Sequence, residues 1–170
     1  GRPALACRTL TENLPEVIRL HPLPAFALIG DLSVDTGTWF RAMNERVGAW
    51  IHQQHDFDLN AREEPMDDDL AQAIYEGDRC IECGCCVAGC GVANLKPEFY
   101  GAAGLNRIAR FMMDPRDKRE APDWFEVVSS EEGVFGCVGL MACHDICPKE
   151  LPLLEVHAYL RRRMLASWIR

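Results

Sequence analysis

Two cysteine runs in this chain are copies of one template set 57 positions apart, and one copy is missing a cysteine. The first run is Cys80-x2-Cys83-x2-Cys86-x3-Cys90; the same steps from Cys137 reach Leu140, Cys143 and Cys147, with Pro148 directly after. Nine cysteines could in principle form disulfides, but such frameworks favour an even number spread along a short secreted chain. Here the number is odd, and five of the nine lie between Cys80 and Cys90. Structural zinc uses four ligands, usually two separated C-x2-C pairs. Successive x2 spacings followed by x3 exceed what one zinc ion needs. The runs are built for iron–sulfur cages.

The C-x2-C-x2-C-x3-C spacing with a proline after the last cysteine is that of bacterial ferredoxins, where three thiolates hold one cubane and the fourth reaches across to the other. That crossed rule assigns Cys80, Cys83, Cys86 and Cys147 to a [4Fe–4S] cluster. Cys137, Cys143 and Cys90 then hold the second cluster, with Leu140 at the remaining corner. An isobutyl group cannot ligate iron, so the second cluster is expected to be [3Fe–4S]. A chain with two such clusters carries electrons.

Composition narrows the alternatives. At 170 residues and 48% hydrophobic content the chain can bury a core as one or two small domains. A net charge of −8 leaves no broad basic face for nucleic acid. No apolar stretch approaches the length of a spanning helix. No signal peptide is visible.

Local patterns place the runs in a mainly helical domain. Residues 1–10 read as a turn and a short strand. From Thr36 a helix is expected, with Asp35 or Thr36 as N-cap and Trp39, Met43, Val47, Trp50 and Ile51 on one face. The polar stretch 53–69 reads as a surface connection, ending in Asp67, Asp68 and Asp69 as helix-starting acids. Leu70, Ala71 and Ile74 form a short apolar stripe. Leu105, Ile108, Ala109 and Met112 mark another helix, ended at Asp114-Pro115 because proline cannot continue the ladder. Residues 116–123 read as a loop. Leu153, Val156, Leu160, Met164 and Trp168 mark the last helix, and beyond residue 30 almost nothing favours strands.

These residues resemble a known family. The runs CIECGCCVAGC and CVGLMACHDICP, the segments LIGDLSVDTGTWF and GAAGLNRIARFMMDPRD, and the tail LPLLEVHAYLRRRM are similar to the iron–sulfur subunits of succinate dehydrogenases and quinol:fumarate reductases. The likeness covers essentially the whole chain and is nearest to the type anchored by a dihaem cytochrome b. It implies an α-helical ferredoxin domain over 31–170 that binds [4Fe–4S] and [3Fe–4S] clusters. Residues 1–30 are then the remnant of a plant-type β-grasp ferredoxin domain and its connection. In that domain the resemblance makes Cys7 the fourth ligand of a [2Fe–2S] cluster, whose C-x4-C-x2-C run is not in this sequence, so the chain is expected to begin inside it. The resemblance further implies an FAD-bearing flavoprotein partner, a membrane cytochrome b carrying haem, menaquinone reached indirectly, and a peripheral place on the cytoplasmic face of the inner membrane. Some members carry a Trp at the position of Leu95 and a His at that of Val138, both near a quinone pocket; their replacement here fits electron transfer to haem instead.

Other residues carry less. Cys85 lies off the repeat frame and is read as a neighbour whose S–H hydrogen bonds tune the first cluster. His144 is read as packing the helix beside its cysteine, and Met112 and Met113 as helix core. Lys149 is read either as a charge near a cluster or as solvated, and Arg161, Arg162 and Arg163 either as facing an anionic surface or as a plain polar face. His52 and His55 have the spacing of a zinc pair but lack a third ligand. The function reading is an electron-transfer subunit without catalytic residues of its own. The alternative is a similar adaptor of another flavin-linked enzyme, of the heterodisulfide reductase or glycerol-3-phosphate dehydrogenase type.

Overall fold

The computed structural model describes residues 1–53, 58–62 and 65–168, without the side chain of Trp168. The chain opens with two single-turn 3-10 helices, Ala6–Arg8 and Thr11–Asn13, followed by a two-stranded antiparallel hairpin, β1 (Ala27–Gly30) and β2 (Ser33–Asp35). Among the described residues eight α-helices follow: α1 (Thr36–Arg46), α2 (Asp68–Asp78), α3 (Cys85–Ala88), α4 (Gly91–Leu95), α5 (Gly101–Met113), α6 (Ala121–Val128), α7 (Ala142–Asp145) and α8 (Leu153–Trp168). A third 3-10 turn, Val134–Gly136, leads into Cys137. Among the described residues no helix is long and apolar enough to cross a membrane.

α5 is the hub, packed against α2, α3, α6 and α8. Small residues make this possible: Gly101, Ala102, Ala103 and Gly104 are all buried in its first turn. A methyl on Gly104 would stand 3.2 Å from Cγ and Sδ of Met43 and 2.8 Å from Cβ of Tyr100. Leu105, Ile108, Leu160 and Met164 fill the space between α5 and α8. α2 closes on α5 through the amide of Asn106, which donates to the Gly77 carbonyl at 2.8 Å.

Several local expectations hold. Asp35 caps α1 by accepting from the Thr38 N–H at 2.9 Å, and Asp67 caps α2 by accepting from Asp69 and Leu70. α5 stops at Asp114, before the proline.

Four readings need correction. Residues 1–10 contain no strand; their only regular element is the turn Ala6–Arg8, since no second segment lies alongside to complete a ladder. A strand does occur beyond residue 30: β2 pairs back on β1, with Asp31 in the left-handed region (φ 53°) reversing the chain. α1 ends at Arg46, so Trp50 and Ile51 leave its face, and Trp50 is exposed and stacks on His52 instead. The cause is Gly48 at φ 56° together with Arg119, whose guanidinium accepts the helix-end role by donating to the carbonyls of Val47, Gly48 and Trp50. The loop expected over 116–123 ends at Glu120, where α6 begins. Glu120 and Asp123 form a capping box, and Pro122 sits in the first turn, where its missing N–H costs nothing. Of the connection over 53–69, residues 54–57 and 63–64 lie outside the described residues, as does His55; His52 is not in a helix.

Candidate metal centres

The first cysteine run leaves α2 at Arg79 and curls before entering α3. Glu82 (φ 52°) and Gly84 (φ 77°) are left-handed and flank Cys83, which turns the run into a tight bowl. Gly84 has no room for a side chain: a Cβ would lie 2.7 Å from the Phe26 ring. Arg107 of α5 pairs with Glu82 and fixes the rim. Cys80, Cys83, Cys86 and Cys147 line one open recess with Phe40, Ala103, Leu151 and Leu153. Cys147 arrives from the second run, and Arg79, one residue before Cys80, donates to the Lys149 carbonyl at 2.8 Å. The two runs are thereby tied at the recess.

Burial holds the thiols of Cys80, Cys86 and Cys143 protonated. Burial pushes Cys86 far up, and Cys80, Cys83, Cys143 and Cys147 press on it in turn. It sits between the two sulfur sets. Cys143 is pushed up to about 11, first by burial and then by the nearness of Cys90 and Cys137. Cationic iron favours the thiolate and releases those protons on binding. Cys85, buried at the start of α3, is pushed up to about 12 by burial and by its neighbours Cys83 and Cys147. An S–H that stays protonated there is a donor beside the first set.

The second run repeats the backbone of the first. Gly139 (φ 77°) and Met141 (φ 55°) are left-handed at the positions of Glu82 and Gly84, and α7 begins where α3 does in the template. The template-equivalent residues Gly89 and Ile146 meet face to face: a Cβ on Gly89 would fall 2.2 Å from Cδ1 of Ile146. The two runs thus touch at equivalent positions, and the last cysteine of each lies near the other run: Cys147 lines the recess of Cys80, Cys83 and Cys86, and Cys90 is near Cys143. Between the left-handed residues, Leu140 is 79% exposed, and Val138 and Leu95 are exposed with it. Among the described residues no three His, Cys, Asp or Glu side chains converge closely enough to share a single ion. The four sulfurs of the first set line a shared recess, a thiolate donor set that fits sulfide-bridged iron.

Cys7 is exposed and stands apart on the Ala6–Arg8 turn. Its segment lies against the repeat: Arg2 donates to the Asp145 carbonyl at the end of α7, and Pro3 sits beside Gly89. His144 is half-buried with an unpartnered Nδ1. Arg161, Arg162 and Arg163 are exposed, and Arg161 donates to the Cys137 carbonyl at 2.7 Å.

Comparison with known proteins agrees with this arrangement. A family model described as a 4Fe-4S dicluster domain matches residues 76–151, which include both runs. The fumarate reductase iron-sulfur subunit of Wolinella succinogenes is 56% identical over 167 residues, covering 98% of this chain and 70% of the relative. The chain belongs to the iron–sulfur subunits of fumarate reductases and succinate dehydrogenases. The succinate dehydrogenase iron-sulfur subunit of Bacillus subtilis is 31% identical over 162 residues, covering 95% of this chain and 63% of its own length. A chain of the Mycobacterium smegmatis Sdh1 complex in the apo form superposes with a TM-score of 0.82 at 25% identity, over all of this chain and 71% of that one. As a member of this family the chain is an electron-transfer component of an oxidoreductase that binds iron–sulfur clusters.

Some site residues were not visible from the runs alone. Arg79 and Arg107 act through a carbonyl and a carboxylate distant in sequence. Their proximity to Cys80 and Glu82 was the available signal, but charge alone does not reveal a partner. The left-handed Met141 could have been found by carrying Gly84 across the repeat.

Proposed function

We propose that this chain relays single electrons between an FAD-bearing fumarate or succinate subunit and a membrane cytochrome b, with menaquinone reached through that cytochrome. Cys80, Cys83, Cys86 and Cys147 hold a [4Fe–4S] cluster, and Cys90, Cys137 and Cys143 a [3Fe–4S] cluster. Cys7 is a ligand of a [2Fe–2S] cluster together with thiolates other than those of the two runs. Residues 31–170 are the helical dicluster domain, and 1–30 belong to the plant-type ferredoxin domain and its connection. When bound, the clusters supply one-electron redox chemistry; the chain supplies ligation, spacing and surroundings.

The observation that carries this reading is the crossed contact between equivalent positions of the repeat. Cys86 feels sulfurs of both runs, and Cys143 feels Cys90 of the other. Phe40, Ala103, Leu151 and Leu153 give the first recess apolar walls beside the sulfurs. On the second run, Val138 and Leu140, within three residues of Cys137, expose an apolar surface beside the site, and Leu95 of α4 is exposed as well. That surface suits contact with the membrane subunit, in keeping with the proposed peripheral place of the chain on the cytoplasmic side of the membrane. The Val138 and Leu95 side chains offer no hydrogen bond to a quinone, in keeping with transfer to haem.

Crossed ligation has a specific test. Cys147→Ser should remove the first cluster and spare the second, although it lies in the second run. Cys90→Ser should do the reverse. Resonance spectra showing that each substitution destroys the cluster of its own run would refute the assignment. Purification of the complex from membranes should bring down a flavoprotein and a b-type cytochrome; recovery with neither would refute the proposed partners.

A further inference from the structure

Leu153, His157 and Arg161 stand one turn apart along α8 and therefore share a stripe of its surface. Leu153 packs in one buried cluster with Cys143 and Ala102. Arg161 donates to the carbonyl of Cys137. Between them His157 is 6% exposed, and neither Nδ1 nor Nε2 has a hydrogen-bond partner. Leaving a buried polar group unpaired costs about 1–3 kcal/mol, so the ring is expected to have a partner in the working protein. α8 also packs on the Val134–Gly136 turn, which delivers Cys137, and on α7, which carries Cys143. Leu153 borders both sulfur sets, since it also lines the first recess, whereas Arg161, the Val134–Gly136 turn and α7 lead from the helix to the second set.

We infer that the ring N–H of His157 donates a hydrogen bond to a sulfur of the second cluster, either the thiolate of Cys137 or Cys143 or a bridging sulfide, and thereby raises its reduction potential. The inference rests on the proposed second site and deepens it by naming a positioning residue outside the cysteine runs. Sulfur at a cluster becomes more negative as the electron arrives. A fixed donor therefore binds the reduced form more strongly than the oxidised form and favours reduction. The proton stays on the ring throughout, so no proton acceptor is required. A histidine that merely filled space would be replaceable by an apolar residue of similar size without moving the potential.

The test is a potentiometric titration of the intact complex, followed by electron paramagnetic resonance, for wild type, His157→Leu and His157→Gln. In the Leu variant the reduction equilibrium of the second cluster should fall by up to about tenfold, about 59 mV for one electron. The first cluster should keep its potential, and the Gln variant, which retains an N–H donor, should recover most of the shift. In wild type grown with isotopically labelled histidine, pulsed resonance should detect a histidine nitrogen coupled to the second cluster. That measurement decides the matter even if the Leu variant does not fold. An unmoved potential in His157→Leu, or no coupled nitrogen in wild type, overturns the inference while the second site stands. Absence of the second cluster's signal from wild type overturns both.

Discussion

At position 140 a hydrocarbon side chain sits in a loop whose backbone is built like that around Cys83, with a left-handed residue on each side in both copies. The loop is shaped for a ligand that the side chain does not provide. Leu140→Cys should therefore complete the cage without refolding the loop, converting [3Fe–4S] to [4Fe–4S] and lowering its potential, since a fourth thiolate adds negative charge. Iron analysis and resonance before and after the substitution check this. A second residue-scale feature concerns stability. Asp117 and Arg119 form a buried pair, with the guanidinium stacked 3.7 Å over the Trp124 ring. Burial pushes the Asp117 carboxyl up, but the hydrogen bonds and charge of Arg119 outweigh it and hold it below its ordinary value. A depressed carboxylate stabilises the fold above its unfolded value of about 3.9, and the contribution is lost as pH falls through the folded value. Asp117→Asn removes the charge facing the guanidinium, which keeps its carbonyl partners, and should cost about 1–3 kcal/mol near neutrality. Unfolding midpoints of variant and wild type should therefore differ at about pH 7 and converge in acid, below about pH 4.

At the scale of elements, the repeat is a backbone repeat as well as a cysteine repeat, and the turns that feed it are tightly packed. Gly136 closes the 3-10 turn before Cys137; a Cβ there would meet the Glu131 carbonyl oxygen at 1.9 Å. Backbone cannot yield as a side-chain tip does. Gly136→Ala should shift the Cys137 segment, destabilise the fold by about 1–3 kcal/mol, and deplete iron from the second site before the first. Spectroscopic quantitation of the two clusters reads this out. Element boundaries show where sequence reasoning had purchase. Asp35, Asp67 and Asp114-Pro115 announced their helix ends because caps and proline act within one turn. The end of α1 was not legible, because the residue that takes its carbonyls, Arg119, is far along the chain. α6 was hidden for another reason: Pro122 and the charged residues before it resemble a loop unless Glu120 and Asp123 are seen as a capping box. The hairpin from Ala27 to Asp35 was missed because its two strands are too short for an alternating pattern.

For the molecule as a whole, α5 ties the helices together while the two runs meet across it through α3, α7 and the Arg79–Lys149 link. The cysteine spacing carried most of the site, since ligand number and order are written in sequence. The positions of His157, Arg107 and Arg161 were not, since they depend on which turn of a distant helix packs there. Val138 and Leu140 give the second run an exposed apolar face, on a chain whose net charge is −8. Covering that face with detergent or with the membrane subunit should slow loss of the second cluster in air, measured as decay of its resonance signal; equal decay rates would place the partner elsewhere. The account depends above all on the missing thiolate. Electron paramagnetic resonance of the fully oxidised protein tests it directly. A cluster of three ferric ions has an odd number of unpaired electrons and must give a signal, whereas an oxidised four-iron cubane gives none. The predicted result is an oxidised-state signal from the second site that vanishes on one-electron reduction. A silent oxidised protein with about eight irons in the two sites would contradict it.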